Sequence, residues 1–244
     1  MLEFAAVIAT FLIAGAVKGV IGLGLPTIAM GLLGSVMAPA KAAALLVVPS
    51  LVTNVWQLAA GPRFGALLRR LWPLLLGICV GTWAGGGILA SNVSGIASAA
   101  LGVALALYGI FGLAAPQLSV PRWARPWLAP VAGAATGLVS AATGVFVLPA
   151  VPYLQALALE KEDLVQALGL SFTVSTLALA AGLAHDGILP VSTAGASLLA
   201  LAPALVGMVL GQRVRRRIEP RLFRRCFFLG LLALGGDLLI RAVI

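Results

Sequence analysis

Apolar residues run along this chain in blocks of about 18 residues or more, the length that crosses a bilayer as helix, separated by short polar punctuation. The blocks fall at residues 2–38, Ala43–Ala60, Leu71–Ala90, Val93–Ala114, Trp127–Leu159, Leu164–Ala184, Ile188–Leu210 and Leu222–Ile244. Turn signals lie between them: GPRFG after Ala60, Ser91–Asn92, and the charged EKED at Glu160–Asp163. The proline-rich stretch PQLSVPRWARP, Pro116–Pro126, divides the series. Residues 2–38 and 127–159 are each too long for one untilted crossing, and each opens a run of four blocks. The pattern predicts an all-α integral membrane protein built as two repeats, residues 1–115 and 127–244, joined by a cytoplasmic linker at 116–126. Internal duplication of this kind is common in transporters.

Both long blocks carry residues a plain anchor helix has no use for. Gly15–Pro26 reads GAVKGVIGLGLP, and about 118 residues later Gly133–Pro149 reads GAATGLVSAATGVFVLP. Glycine frees the backbone and proline removes a donor. Gly22, Gly24 and Pro26 therefore predict a break in the first block, and Thr143–Gly144 a break in the second. A return helix is expected to start at Pro26 in one and near Thr143–Gly144 in the other. Interrupted helix at membrane depth is tolerated only where protein or a watery cavity receives the freed N–H and C=O groups. Gly15 and Gly19, spaced GxxxG, are read as close-packing positions.

Composition supports this. The 244 residues are 61% hydrophobic and only 9% charged, against roughly 25% charged in soluble domains. No cleavable signal peptide is read at the N-terminus. The net charge of +9 would suggest nucleic acid in a soluble protein. Here the arginines sit in short loops, as the positive-inside bias requires, and nucleic acid is excluded as a partner. Arg63, Arg69 and Arg70 mark one loop, Arg122 and Arg125 the linker, and Arg213, Arg215, Arg216, Arg217, Arg221, Arg224 and Arg225 the last loop. All three fall on the cytoplasmic side only if each interrupted block enters and returns on one side. Each half then crosses three times net, so the halves are inverted-topology repeats, each a discontinuous helical hairpin plus three transmembrane helices. Both termini would lie outside.

Helix starts at two such tips would present unpaired N–H groups and positive dipole ends, a ready anion site. Lys18 lies one turn before the first break, where a charge is expensive. It is read as the charge partner of an anion, or alternatively as a lysine snorkelling to the interface. Ser140 and Thr143 offer hydroxyl donors at the second tip. Ser50, Thr53, Asn54 and Gln57 share one helical face, with Asn54 and Gln57 the most expensive to bury unpaired. Ser171, Thr173, Ser175 and Thr176, preceded by Gln166, form a second polar set. Such faces either hydrogen-bond between helices or line a pathway. The candidate substrate-binding set is Lys18, Gly22, Gly24, Pro26, Asn54, Gln57, Ser140, Thr143, Gly144 and Ser171. His185–Asp186 is read as a solvated loop pair, and Asp237–Arg241 as an interfacial i,i+4 ion pair. Cys79 and Cys226 support neither a disulfide framework nor a metal site. GVIGLG is a poor dinucleotide fingerprint, no Walker loop or catalytic constellation is present, and neither an enzyme nor a cofactor or metal is expected.

On these residues the sequence resembles the sulfite exporter TauE/SafE family. Its members carry, once per half, a glycine-rich break of the type GxxxGxxGxGG followed by proline. The first copy here is Gly15, Gly19, Gly22 and Gly24, with Leu25–Pro26 where further glycines are usual. The second is Gly133, Gly137, Ser140, Ala142, Thr143, Gly144 and Pro149, with serine and alanine in place of two glycines. The stretch ALGLSFTVST resembles the family's second-half helix. The resemblance implies a transporter of sulfite, sulfoacetate or related organosulfur or organic anions. The expectation is a multi-pass secondary transporter of the bacterial cytoplasmic membrane, exporting a small anion by alternating access. Its partners would be that anion and the lipid bilayer, with a homodimer left open. An anion-selective channel and a non-transporting membrane scaffold are the alternatives.

Overall fold

The computed structural model describes residues 2–89, 95–114, 119–189, 191–215 and 219–243. Among them the chain is helical throughout: α1 Leu2–Ile21, α2 Leu25–Gly34, α3 Pro39–Ala59, α4 Phe64–Ala84, α5 Ile96–Ala114, α6 Arg125–Thr143, α7 Ala150–Ala156, α8 Lys161–His185, α9 Val191–Val214 and α10 Pro220–Val243. Six helices, α1, α3, α4, α5, α8 and α9, are long and apolar enough to cross a membrane. Their outward faces are apolar, with Leu76, Val80, Leu107, Ile110 and Leu199 exposed. That is the surface a bilayer covers.

Both expected breaks are present. α1 stops at Ile21 because Gly22 and Gly24 take φ of +83° and +101°, a region open to glycine. Pro26 then sits in the first turn of α2, where its missing N–H matters least. α6 stops at Thr143 because Gly144, φ +70°, caps it in the left-handed conformation. Here one expectation is corrected. No helix begins at Thr143–Gly144; Val145–Leu148 run on without helix, and the return helix α7 begins only at Ala150. Val145, Phe146 and Val147 are β-branched or aromatic residues of low helix propensity. The second tip therefore shows the carbonyl end of α6, not a positive helix start.

The interrupted backbone is shielded. Val145, Phe146 and Val147 are fully buried, and α2 and α7 are buried along nearly their whole length. A helix apolar on every side belongs in a core. Pro49 within α3 shows the same rule at one residue. Its absent N–H leaves the carbonyl of Leu45 without its helical partner, and Ser197 of α9 donates to that carbonyl at 2.8 Å.

Glycine makes the closest packing. α1 crosses α9 through Gly15 and Gly19 against Gly207 and Gly211; α6 crosses α4 through Gly133 and Gly137 against Gly77 and Gly81. A Cβ at any of the eight would strike partner backbone: Ala204 for Gly15, Met208 for Gly19, Leu12 for Gly207, Ala16 for Gly211, Leu74 for Gly133, Ile78 for Gly137, Pro130 for Gly77 and Ala134 for Gly81. The packing role read for Gly15 and Gly19 is what the structure shows. α3 packs on α8, and α5 on α10.

Contacts also sort residues to the two ends of the bundle. At one end Arg63 pairs with Asp163 at 3.2 Å, Arg70 donates to the Leu157 carbonyl, and Val120 donates to Ala156. At the other, Phe4 and Val7 share a groove with Met37 and Lys41, Asp186 accepts from the Gly87 N–H, and Arg241 donates to the Ser35 carbonyl. α1 and α3 thus run in the same direction, with α2 returning the chain between them. The expected start of the fourth helix at Leu71 moves to Phe64, because only Gly61–Arg63 form the turn. The Ser91–Asn92 turn, residues 116–118 of the linker, and Arg216 and Arg217 of the last loop lie outside the described residues. Asp237 and Arg241 pair at 2.9 Å, as their spacing requires.

Gly81→Leu is expected to lose the folded state in a detergent thermal melt, since overpacking costs about 1–3 kcal/mol even where side chains can yield and here the obstacle is backbone. Gly236→Ala, where a Cβ meets nothing within 4 Å, should melt with the parent protein.

Candidate functional site

The site is built around Lys18, which α1 carries to within a turn of its broken end. Its side chain is 4% exposed, and the ammonium donates to Oδ1 of Asn54 on α3. Asn54 is held in turn. Its Nδ2 donates to Ser50 Oγ at 3.1 Å and Thr176 Oγ1 at 3.3 Å, and Thr176 donates to the Phe172 carbonyl at 2.7 Å. The network joins α1, α3 and α8, so three helices fix one cation. Among the described residues its hydrogen-bond partner is a neutral amide oxygen. No carboxylate pairs with it among the described residues, and the enclosed side chain does not lie along the surface of the bundle.

A cavity of about 350 Å³ opens onto Lys18 from the end of the bundle that holds Arg63 and Arg70. Gly22 and Leu23, at the α1–α2 break, form one wall; Thr53 and Gln57 of α3 form another. Gln57 donates from Nε2 to the Val165 carbonyl at 3.0 Å, while its Oε1 is buried without a protein partner. Lys161, Arg215 and Arg224 line the mouth, and no carboxylate does among the described residues. Arg224 stacks over the Phe228 ring at 5.5 Å, which holds its charge at the rim. Four cations around one cavity with no acid among them make a field that concentrates anions.

The sequence-derived residues divide into two groups. Lys18, Gly22 and Gln57 line this cavity, and Asn54 stands behind Lys18. Gly24 packs against Val17 and Phe227, and Pro26 is buried within α2, so both shape the break without facing the cavity. Ser140, Thr143 and Gly144 gather at the second break. There Thr143 Oγ1 donates to the Val139 carbonyl at 2.6 Å and accepts from the Val145 N–H at 3.1 Å, and Gly144 lies under Met30 of α2. Ser171 lies on α8. The hydroxyls of Ser140 and Ser171 are fully buried and have no protein partner.

The sulfite exporter TauE/SafE family model matches residues 7–238 of this chain. The chain belongs to the sulfite exporter TauE/SafE family. Membership implies a membrane transporter of sulfite or related anions, in agreement with six spanning helices and a basic cavity. Comparison with curated proteins and with solved structures gave no match. In this TauE/SafE protein the residues that sequence reasoning missed are Lys161, Arg215 and Arg224. They were legible only as loop charges, because nothing in the order of residues says that the start of α8 meets the α9–α10 connection at one mouth.

Asn54→Leu should lower stability by about 1–3 kcal/mol, the penalty for a buried donor left unpaired, read as a fall in melting temperature. Adding Lys18→Met should restore more than half of the loss; two losses that simply add would show that the pair is not coupled.

Proposed function

We propose that the protein exports sulfite or a closely related small anion, from the basic end of the bundle to the opposite end, by alternating access around Lys18. The observation that carries this reading is the cavity itself: it ends on a buried, neutral-partnered ammonium and has a mouth of cations. An anion drawn in by Lys161, Arg215 and Arg224 displaces Asn54 from the ammonium or shares it. Gln57 Nε2, which gives one of its two N–H groups to the Val165 carbonyl, then supplies the other as a donor. The first helix start, α2, adds its positive end. At the second break the Ser140 hydroxyl, and on α8 that of Ser171, supply donors instead of a helix start.

The basic end is placed in the cytoplasm, since Arg63, Arg70, Arg122, Arg125, Arg213 and Arg215 share it. With an inside-negative potential, export of each negative charge gains roughly 2.3 kcal/mol per 100 mV. No coupling ion is needed on that account. The halves 1–115 and 127–244 are taken as inverted repeats. The packing supports this: exchanging α1–α5 for α6–α10 turns α1 on α9 into α6 on α4, turns α3 on α9 into α8 on α4, and leaves α3 on α8 and α5 on α10 unchanged. The dyad passes near the centre of the network. Asn54 stands sixteen residues past the Ala38 cap of α3, Thr176 sixteen past the Glu160 cap of α8, and the two are hydrogen-bonded. A cavity that opens at the basic end is what the inward-facing member of an alternating pair presents.

Purified protein in liposomes should carry radiolabelled sulfite with saturation and counterflow, and Lys18→Met should cut that flux at least tenfold. Undiminished flux in the variant would remove Lys18 from the path, and linear, non-saturating flux would favour a channel. Single cysteines replacing Arg63 and Arg213, in a background lacking Cys79 and Cys226, should label from the same face, and one replacing His185 from the other.

A further inference from the structure

A second polar pocket of about 230 Å³ lies at the far end of the bundle, between the ends of α4 and α8, lined by Thr82, Gly86, Gly87, Ala178, Gly182 and Asp186 among others. Its positions are not arbitrary. Ala178 and Gly182 stand 18 and 22 residues past the Glu160 cap of α8; Trp56 and Ala60, which line the inner cavity, stand 18 and 22 past the Ala38 cap of α3. Thr82 follows Gly81 at the α4–α6 crossing as Gln212, another inner lining residue, follows Gly211 at the α1–α9 crossing. Three lining residues of one pocket are thus the exchange partners of three lining residues of the other.

A trail of unsatisfied hydroxyls leads between them. Ser171, Ser175, Ala178 and Gly182 are spaced by four, three and four, so they form one face of α8. The hydroxyls of Ser171 and Ser175 are fully buried without protein partners, one turn of helix around Thr176 of the Lys18 network. Thr82 in the pocket is 4% exposed and its hydroxyl is likewise unpartnered. The unpartnered Ser140 sits one turn past Gly137, whose Cα faces the Thr82 N–H. Buried polar groups are ordinarily paired. Four that are not lie on α4, α6 and α8, the helices that join the Lys18 network and the second break to the far pocket.

The charge differs between the two ends. The inner cavity has four cations and no described carboxylate; the far pocket has Asp186, beside His185. Asp186 also latches the pocket: Oδ2 accepts from the Gly87 N–H at 3.1 Å, Oδ1 lies 3.3 Å from His185 Nδ1, and the His185 ring packs on Trp83 with centroids 5.6 Å apart.

We propose that this pocket is the exit vestibule of the anion path, and that the Asp186 carboxylate makes it a low-affinity outlet that disfavours re-entry. The vestibule rests on the transport reading above. Inside, cations gather the anion; outside, a carboxylate in the vestibule repels it, so the half-saturating concentration is higher from outside than from inside.

The test uses the full-length protein in oriented liposomes with sulfite counterflow measured from each face. The outer half-saturating sulfite concentration should exceed the inner by at least tenfold. Asp186→Asn keeps an acceptor for the Gly87 N–H but removes the charge; it should lower the outer value at least threefold and leave the inner value unchanged. An unchanged outer value overturns the role of Asp186. Gly182→Cys, where a side chain meets nothing within 4 Å, should lose flux when a bulky thiol reagent is added from outside to protein lacking Cys79 and Cys226, and sulfite should protect it. Full labelling with full flux overturns the vestibule. Parent protein that shows no counterflow of sulfite or thiosulfate overturns the transport reading first, and the vestibule with it.

Discussion

Backbone that leaves a helix at membrane depth must find its hydrogen bonds inside the protein, and the structure is arranged to meet that demand twice. The α1–α2 and α6–α7 breaks are walled in by longer helices. α2 and α7 are buried along nearly their whole length, and Val145–Val147 is sealed completely. The wall is close because glycines meet glycines where α1 crosses α9 and α6 crosses α4. In lipid, where apolar surface alone gives helices no reason to associate, such close approach is what holds them. The same requirement acts at Pro49, where Ser197 supplies the hydrogen bond a proline withholds.

Once enclosed, the breaks become useful. The first opens beside Lys18 and presents Gly22 to a cavity of about 350 Å³. The lysine is affordable there because Asn54 receives it and Ser50 and Thr176 hold Asn54 in place. A carboxylate partner would have cancelled the charge. An amide satisfies one of three ammonium donors and leaves the field of the cation available, which suits a site whose ligand arrives and leaves. Membership of the sulfite exporter TauE/SafE family and this electrostatic arrangement point the same way.

Much of this was legible in residue order, for reasons that can be named. Helix breaks declare themselves when Gly22, Gly24, Pro26 and Gly144 interrupt apolar runs, since few other roles explain those residues together. A buried cation declares itself because lysine in an apolar block is costly. The spacing of Ser50, Thr53, Asn54 and Gln57 placed them on one buried face, and they are so placed. Two things were hidden. Val145–Leu148 reads as apolar as the helices around it, and low helix propensity at three residues is too weak a signal to displace a helix start, which is expected six residues too early. The mouth of the cavity depends on the start of α8 meeting the end of α9 and the start of α10, and Lys161, Arg215 and Arg224 look like ordinary loop charges until those helices are assembled.

The central claim is that an anion rests against Lys18 in the middle of the protein. A crystal or cryogenic structure of the purified protein with selenite, a heavier analogue of sulfite with the same pyramidal shape, tests it most directly. The account predicts selenium density within hydrogen-bonding reach of Lys18 Nζ, beside Gln57 and Gly22. Selenium found only at the surface arginines, with Lys18 still bound to Asn54 and nothing in the cavity, would contradict it.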